Sequence, residues 1–338
     1  MNQLISGPCG KMRSPSSKEA NVFHGNRVVA HTGVAYPIFQ APMTFIARAP
    51  LVAAVAEAGG LGLLETSSAD LNVTTHEFTA IRKATDKPFG VNLPVQMLKR
   101  DLDEEKAIIA WLLDQGIRFV TTSAGDPSRY IEQLKNAGVI VYHATATLHG
   151  AIKAVAAGVD GVVVEGAESA GIRNPDEIHS FALLQAVREN VDVPIVAAGG
   201  IVDGRGMAAA FALGAEGVAM GTRFVASAES PVHANYKDAI VAAPSAGTLI
   251  TDLPPRARFR GLKTEYAIEA HEGRRERRPT RSVLQDLYID GDVDNTSGPA
   301  GESSGLIHKV ETVRQIIDDT VSGFWREIDR LAALRDPS

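Results

Sequence analysis

The chain has 338 residues, of which 45% are hydrophobic, 22% charged and 6% aromatic, a balance that excludes a disordered chain. Its 34 Lys and Arg against 40 Asp and Glu leave a net charge of −6, which argues against a nucleic-acid or anionic-membrane partner. A single cysteine, Cys9, excludes a disulfide framework and any cysteine-built zinc or iron–sulfur centre.

Residues 1–25 are polar and punctuated by Gly, Pro and Ser, and read as a loose arm. The start, Met1–Pro8, lacks the charged flank and apolar segment of a signal peptide. No run approaches the roughly 18 apolar residues of a membrane span. The expected setting is therefore the cytoplasm.

From Pro37 onward, short apolar runs of strand length recur at Pro37–Gln40, Leu61–Glu65, Phe89–Leu93, Phe119–Ser123, Val139–His143, Gly161–Glu165, Pro194–Ala198 and Gly217–Met220. Most are apolar throughout rather than alternating, as in parallel strands buried on both faces. Segments of helical period lie between them, at Arg48–Ala58, Glu104–Leu113, Ile178–Val187 and Met207–Leu213. Gly59, Gly116, Gly138, Gly158 and Gly214 each follow a helix and precede a strand. Glycine tolerates the left-handed backbone that closes a helix, so this is one loop chemistry used five times. Asp203 is placed to cap the helix that follows it.

The runs repeat at about 26 residues per unit, close to one strand–helix repeat, since parallel strands need helical crossovers. Eight such units predict a (β/α)8 TIM barrel over residues 26–245. A doubly wound sheet would carry its glycine fingerprint after the first strand, where this chain reads Gln40-Ala41-Pro42-Met43. The one G-x-G-x-x-A match, at Gly204, Gly206 and Ala209, comes late in the chain. Residues 246–338 break the pattern and read as a smaller helical and loop region on the substrate side. That region holds the basic run Arg274–Arg278, either an anion site or a solvated face or subunit contact. It ends in an amphipathic helix, Val310–Leu334, with the stripe Val313, Ile316, Ile317, Val321, Phe324 and Ile328.

Active sites of such barrels lie at the C-terminal ends of the strands. Phosphate is often held there by the loops after the seventh and eighth strands. Those loops read Gly199-Gly200 and Gly221-Thr222. Glycine lets backbone N–H groups approach an anion closely, and Thr222 adds a hydroxyl; tight turns are the plainer use of the same glycines. Asn92 at the end of the third strand could meet the polar edge of a flat ring, or close a local turn. Glu65, Glu165 and His143 show no spacing that gathers them on one metal, and no metal site is expected.

Several motifs together carry a resemblance. Pro37-Ile38-Phe39-Gln40-Ala41-Pro42-Met43, Ala58-Gly59-Gly60-Leu61-Gly62, Pro88-Phe89-Gly90-Val91-Asn92-Leu93, Ala198-Gly199-Gly200-Ile201 and Met220-Gly221-Thr222-Arg223-Phe224 resemble the nitronate monooxygenase (2-nitropropane dioxygenase) family. That family includes FMN-dependent NADH:quinone reductases and enoyl-ACP reductases. The resemblance implies non-covalent FMN, with Gln40, Ala41 and Met43 lining its ring and Asn92 at the ring's polar edge. It implies Gly199, Gly200, Gly221 and Thr222 around the phosphate, joined by Ala170 and Gly171 from the loop after the sixth strand. The implied activity is oxidation of alkyl nitronates with O2 at flavin N5. An NAD(P)H-dependent quinone or enoyl-thioester reductase is the alternative, and a flavin-binding protein without catalysis is a third reading. A small-molecule substrate, NAD(P)H as a further partner and a homo-oligomer are compatible with it.

One departure stands out. Where the family carries a histidine after a glycine-rich loop, this chain has Ile172, in Glu168-Ser169-Ala170-Gly171-Ile172-Arg173. Isoleucine moves no proton. The substrate then arrives already ionised, or the reaction is net hydride transfer, or another group substitutes. His143 and Glu168 are the candidates for that group, with a structural histidine as the alternative for His143. Arg173 is either a charge for an anionic substrate or an exposed loop residue.

Overall fold

A computed structural model describes residues 23–67, 71–95, 102–253 except 175 and 177, and 257–335 except 277 and 279. The side chains of 102–105, 253, 280, 281 and 283 are likewise outside the description. Eight parallel strands alternate with helices, as the repeat predicts. They are β1 (Ile38–Gln40), β2 (Leu63–Glu65), β3 (Gly90–Pro94), β4 (Phe119–Ser123), β5 (Ile140–Thr145), β6 (Gly161–Glu165), β8 (Ile195–Ala198) and β9 (Gly217–Met220). Their order is β1-β9-β8-β6-β5-β4-β3-β2. A parallel bridge from Phe39 to Leu61 joins the two ends, so the sheet closes into a TIM barrel.

The local chemistry matches the pattern read from the chain. All five helix-closing glycines, Gly59, Gly116, Gly138, Gly158 and Gly214, have positive φ. Asp203 accepts a hydrogen bond from the Gly206 N–H at 2.9 Å and caps the helix Gly204–Ala212. Gly204 has a packing role. A Cβ there would lie 2.1 Å from the Phe324 nitrogen, so glycine permits close helix contact and the fingerprint match is unrelated to phosphate.

Two apolar layers hold the barrel. Inside it, Phe39, Leu63, Phe119, Tyr142, Val163 and Val196 form the floor. Phe119 and Tyr142 have ring centroids 5.0 Å apart. Outside it, a larger cluster fills the space between sheet and helices. Strand residues alternate between the two layers because successive side chains point to opposite faces.

The end of the chain departs from the expected division at residue 245. The helix Val313–Ala332 packs between Gly204–Ala212 and Ala49–Glu57, so it completes the helical ring around the barrel. Thr312 and Gln315 form a capping box at its start. Val313, Ile316, Ile317 and Phe324 are buried, and Val321 and Ile328 pack on the same cluster. Phe23, placed by its sequence in the loose arm, is buried against Phe324 with centroids 5.5 Å apart; residues 1–22 of the arm lie outside the described residues.

Residues 244–312 thus form an insertion between the eighth strand and its helix. They carry a small antiparallel sheet, with β10 (Thr248–Leu253) beside β11 (Ala257–Leu262). Its third strand, β7 (Gly171–Arg173), comes from the loop after β6. In the basic run, Arg274 pairs with Glu269 and Glu272, Arg275 with Glu269, and Arg278 with Asp286. These arginines therefore bind carboxylates of their own region; Arg277 lies outside the described residues. Among the described residues no helix is long and apolar enough to cross a membrane.

Candidate active site

The strand ends converge on one mouth, and alternation decides which residues reach it. Asn92 lies between Val91 and Leu93, both in the outer layer, and so faces inward. It is buried, its Oδ1 accepts from Thr121 Oγ1 at 3.0 Å, and its Nδ2 donates to Ser123 Oγ at 3.4 Å. Its side chain reaches across to the next strand instead of closing a local turn. Glu165 follows Val163 of the floor and Val164 of the outer layer, so it also faces inward.

Gln40 and His143 face the other way. Gln40 shares the parity of Ile38, in the outer layer, and is fully buried. Its Oε1 accepts from the Leu63 N–H at 3.2 Å, and its Nε2 donates to the Leu63 carbonyl at 3.5 Å and to the Ala41 carbonyl. β1 and β2 touch through one bridge, and the Gln40 amide serves the β2 backbone where strand pairing stops. The expectation that Gln40 lines a ring is therefore corrected: its amide is engaged in barrel closure.

His143 shares the parity of Val141 and lies between sheet and helices. Its Nδ1 is 2.8 Å from Thr122 Oγ1. Burial pushes its pKa down to about 4, against a small opposing effect of Asp126. A neutral, outward-facing imidazole is a structural histidine, so His143 does not take the role left by Ile172. Glu168 is also otherwise engaged. Its carboxylate accepts from the Ser180 N–H at 3.1 Å and the Ser180 hydroxyl at 2.8 Å. It therefore caps the helix Ser180–Asn190, whose N-cap residue His179 offers no side-chain cap.

The Gly199-Gly200 and Gly221-Thr222 pairs lie at the ends of β8 and β9. Gly199 and Gly200 follow β8 with φ of +97° and +76°. Neither N–H donates to a backbone carbonyl among the described residues. Gly221 follows β9, and a Cβ there would lie 3.7 Å from both Ala41 Cβ and Met43 Sδ. Ala41, Met43 and Gly221 thus share one wall, with Ala41 tied to β9 through the Met220 carbonyl at 3.0 Å. The Thr222 hydroxyl oxygen accepts from the Gly301 N–H at 3.0 Å, which leaves its proton to donate. Two glycine N–H groups without a backbone acceptor among the described residues, with the Ser169 and Glu168 side chains beside them, and the Thr222 hydroxyl proton make up the donors of this corner. A groove of about 380 Å³ runs beside Gly199 and Gly200, with Leu184, Ala209 and Leu306 among its apolar lining.

The insertion adds residues that strand counting misses. Gly301 stands over the corner: a Cβ there would lie 2.9 Å from the Glu168 carbonyl oxygen and 3.6 Å from the Ala170 nitrogen. This brings Ala170, just before Gly171 of β7, to the same side as Thr222. On β7, Ile172 is exposed and Arg173 buried, the alternation expected of a strand. Arg173 Nη1 meets Glu165 Oε1 at 2.9 Å and Nη2 donates to the Gly166 carbonyl at 2.6 Å. Arg173 is therefore no exposed loop arginine. Arg260 of β11 pairs with Glu302 at 2.9 Å and donates to the Ala167 carbonyl at 3.2 Å. The period-two exposure of 171–173 was the only sequence signal for β7, and three residues are too few to register it.

Glu65, at the end of β2, organises the first loop. It is fully buried, meets Arg48 at 2.6 Å, and accepts from the Phe45 and Ser67 N–H groups at 3.2 and 2.7 Å. Phe45 has φ of +63°, a conformation disfavoured for a bulky residue, and the carboxylate holds it there. No three His, Cys, Asp or Glu among the described residues are grouped to share a metal ion.

The chain is similar to known proteins over most of its length. The nitronate monooxygenase family model matches residues 26–323. A (3aS,4S,5R,7aS)-5-hydroxy-7a-methyl-1-oxo-octahydro-1H-indene-4-carboxyl-CoA dehydrogenase of Mycobacterium tuberculosis is 34% identical over 72% of this chain and 68% of its own. The nitronate monooxygenase of Pseudomonas aeruginosa is 32% identical over 70% of this chain and 80% of its own. The structure of FabK from Thermotoga maritima superposes with a TM-score of 0.84 at 36% identity, over 91% of this chain and 99% of that one. With a family match across most of its length and the barrel that match requires, the chain belongs to the nitronate monooxygenase family of flavin-dependent oxidoreductases.

Proposed function

We propose that the protein is an FMN-dependent oxidoreductase that accepts electrons from alkyl nitronates and passes them to O2. The observation that carries the cofactor is the double glycine corner at β8 and β9, where the Gly199 and Gly200 N–H groups donate to no backbone carbonyl among the described residues. Gly199, Gly200, Gly221 and Thr222 would hold the phosphate, with Ala41 and Met43 against the ring and Asn92 at its polar edge. FMN, when bound, supplies the two-electron chemistry; the protein supplies position and electrostatics.

The residues around that cofactor orient and neutralise. Asn92 is held by Thr121 and Ser123, so its amide plane is set before a ligand arrives. Arg173 is 3% exposed and paired with Glu165 at 2.9 Å, so it orients that carboxylate rather than meeting substrate itself. Reactants aligned in advance lose less entropy on reaching the transition state. A second reading is an oxidoreductase of acyl thioesters that uses NAD(P)H; the name of the M. tuberculosis relative, a carboxyl-CoA dehydrogenase, supports its thioester part. A visible spectrum of the purified protein tests the cofactor. Anaerobic titration then separates the readings: bleaching by ethyl nitronate supports the first, bleaching by NAD(P)H alone the second, and a colourless protein that takes up no FMN refutes both.

A further inference from the structure

A proton acceptor in this mouth must face inward, be able to titrate and be reachable. The described residues at the strand ends narrow the choice. His143 faces the outer layer. Glu168 caps a helix. Glu65 is fully buried and ringed by Arg48, Phe45 and Ser67. Glu165 meets all three conditions: it is the last residue of β6, it faces inward, and 35% of its side chain is accessible. Arg173 holds one of its oxygens at 2.9 Å. Arg173 is itself 3% exposed and anchored to the Gly166 carbonyl.

We propose that Glu165 is the group that removes a proton from substrate carbon at this mouth, with Arg173 as its positioning residue. The inference rests on the oxidoreductase reading above and extends it from nitronates to neutral carbon acids, whose C–H lies next to a nitro or thioester group. In the step, a Glu165 carboxylate oxygen forms an O–H bond as the substrate C–H bond breaks. The electron pair stays on the substrate and spreads onto the oxygens of its nitro or carbonyl group. No oxidant is consumed, and Glu165 returns its proton to water.

The surroundings suit a base: Arg173 fixes one carboxylate oxygen at 2.9 Å while about a third of the side chain stays accessible, so the carboxylate is held in place and can be reached. The other charges around it are already paired. On β11, Arg260 meets Glu302 and the Ala167 carbonyl. In the same loop, Glu168 turns to Ser180, with His179 at 3.6 Å. Arg173 is therefore the charge that tunes Glu165. Ile172, on the alternate face of β7, brings no titratable group.

Deuterium exchange reads this step without turnover. The FMN-loaded full chain is incubated anaerobically with nitroethane in D2O, without nicotinamide, and loss of the α-proton signal is followed by NMR. The wild type should speed exchange over buffer, with a rate that rises through a single carboxyl ionisation. Glu165→Gln should lose about 100-fold, the range of a general base. Glu165→Ala should regain part of the rate with added formate, which a merely structural glutamate would not show. Arg173→Met keeps the base and removes its neighbouring cation, so its pH midpoint should move upward. Wild-type exchange rates in Glu165→Gln overturn the proposal, as does a wild type that gives no exchange. If both Glu165 variants fail to fold, an unmoved midpoint in Arg173→Met overturns it. Flavin bleaching of the wild type by preformed ethyl nitronate needs no proton removal, so it tests the oxidoreductase reading apart from the base. Loss of bleaching in the wild type would count against the oxidoreductase reading alone.

Discussion

Two walls of one mouth are built from opposite materials. The β8–β9 wall offers backbone: Gly199, Gly200 and Gly221, with the Thr222 hydroxyl as its side-chain donor. The β6–β7 wall offers charge, with Glu165 and Arg173 joined at 2.9 Å and Arg260 with Glu302 beside them. Backbone donors are rigid and fixed by the fold, which suits a group that stays bound. Side chains can change protonation, which suits a group that must react. In the proposed reading, anchoring and chemistry therefore fall on separate strands.

The largest effect should come from the backbone wall. Gly200 has φ of +76°, so Gly200→Val adds both strain and a side chain where an anion approaches. FMN affinity should fall by about 100-fold or more, near 3 kcal/mol. Fluorescence titration of the apoprotein measures it, and unchanged affinity would break the division between the walls.

Next is the closure that keeps both walls in place. Gln40→Leu leaves the buried Leu63 N–H and carbonyl without the amide they use. Stability should fall by about 2–3 kcal/mol, read by denaturant unfolding. The folded fraction should bind FMN as before, because the amide faces away from the mouth. Lost FMN binding in a stably folded variant would return Gln40 to the ring.

His143 sharpens the contrast between the inward and outward faces of the strand ends. Its pKa falls from about 6.5 unfolded to about 4 folded. Between those values the unfolded chain binds more protons, so stability is full above pH 6.5 and declines as pH falls toward 4. The loss between pH 6.5 and 5 should be about 2 kcal/mol. In His143→Gln that part of the slope should vanish, while the pH midpoint of α-proton exchange should stay put. A moved midpoint would place His143 in the chemistry after all.

The smallest effect belongs to the basic run. Arg274 is about half exposed and pairs with Glu269 and Glu272. Arg274→Ala should leave both stability and FMN affinity nearly unchanged, because exposed ion pairs contribute little. A large drop in affinity would make the run part of the anion site.

Strand count, helix-ending glycines and the Gly199-Gly200 and Gly221-Thr222 pairs after β8 and β9 are all local in origin. Each depends on a short window whose backbone preference is set by its own residues, so the linear chain already determined them. Which way Gln40, His143 and Glu165 point depends on parity, and a one-residue difference in register reverses it. The pairing of Arg173 with Glu165 needs a three-residue strand that forms only against β11. The place of Val313–Ala332 in the helical ring needs the barrel to close first. These were decided by tertiary structure, because each joins groups whose separation in sequence says nothing about their distance until the sheet curls shut.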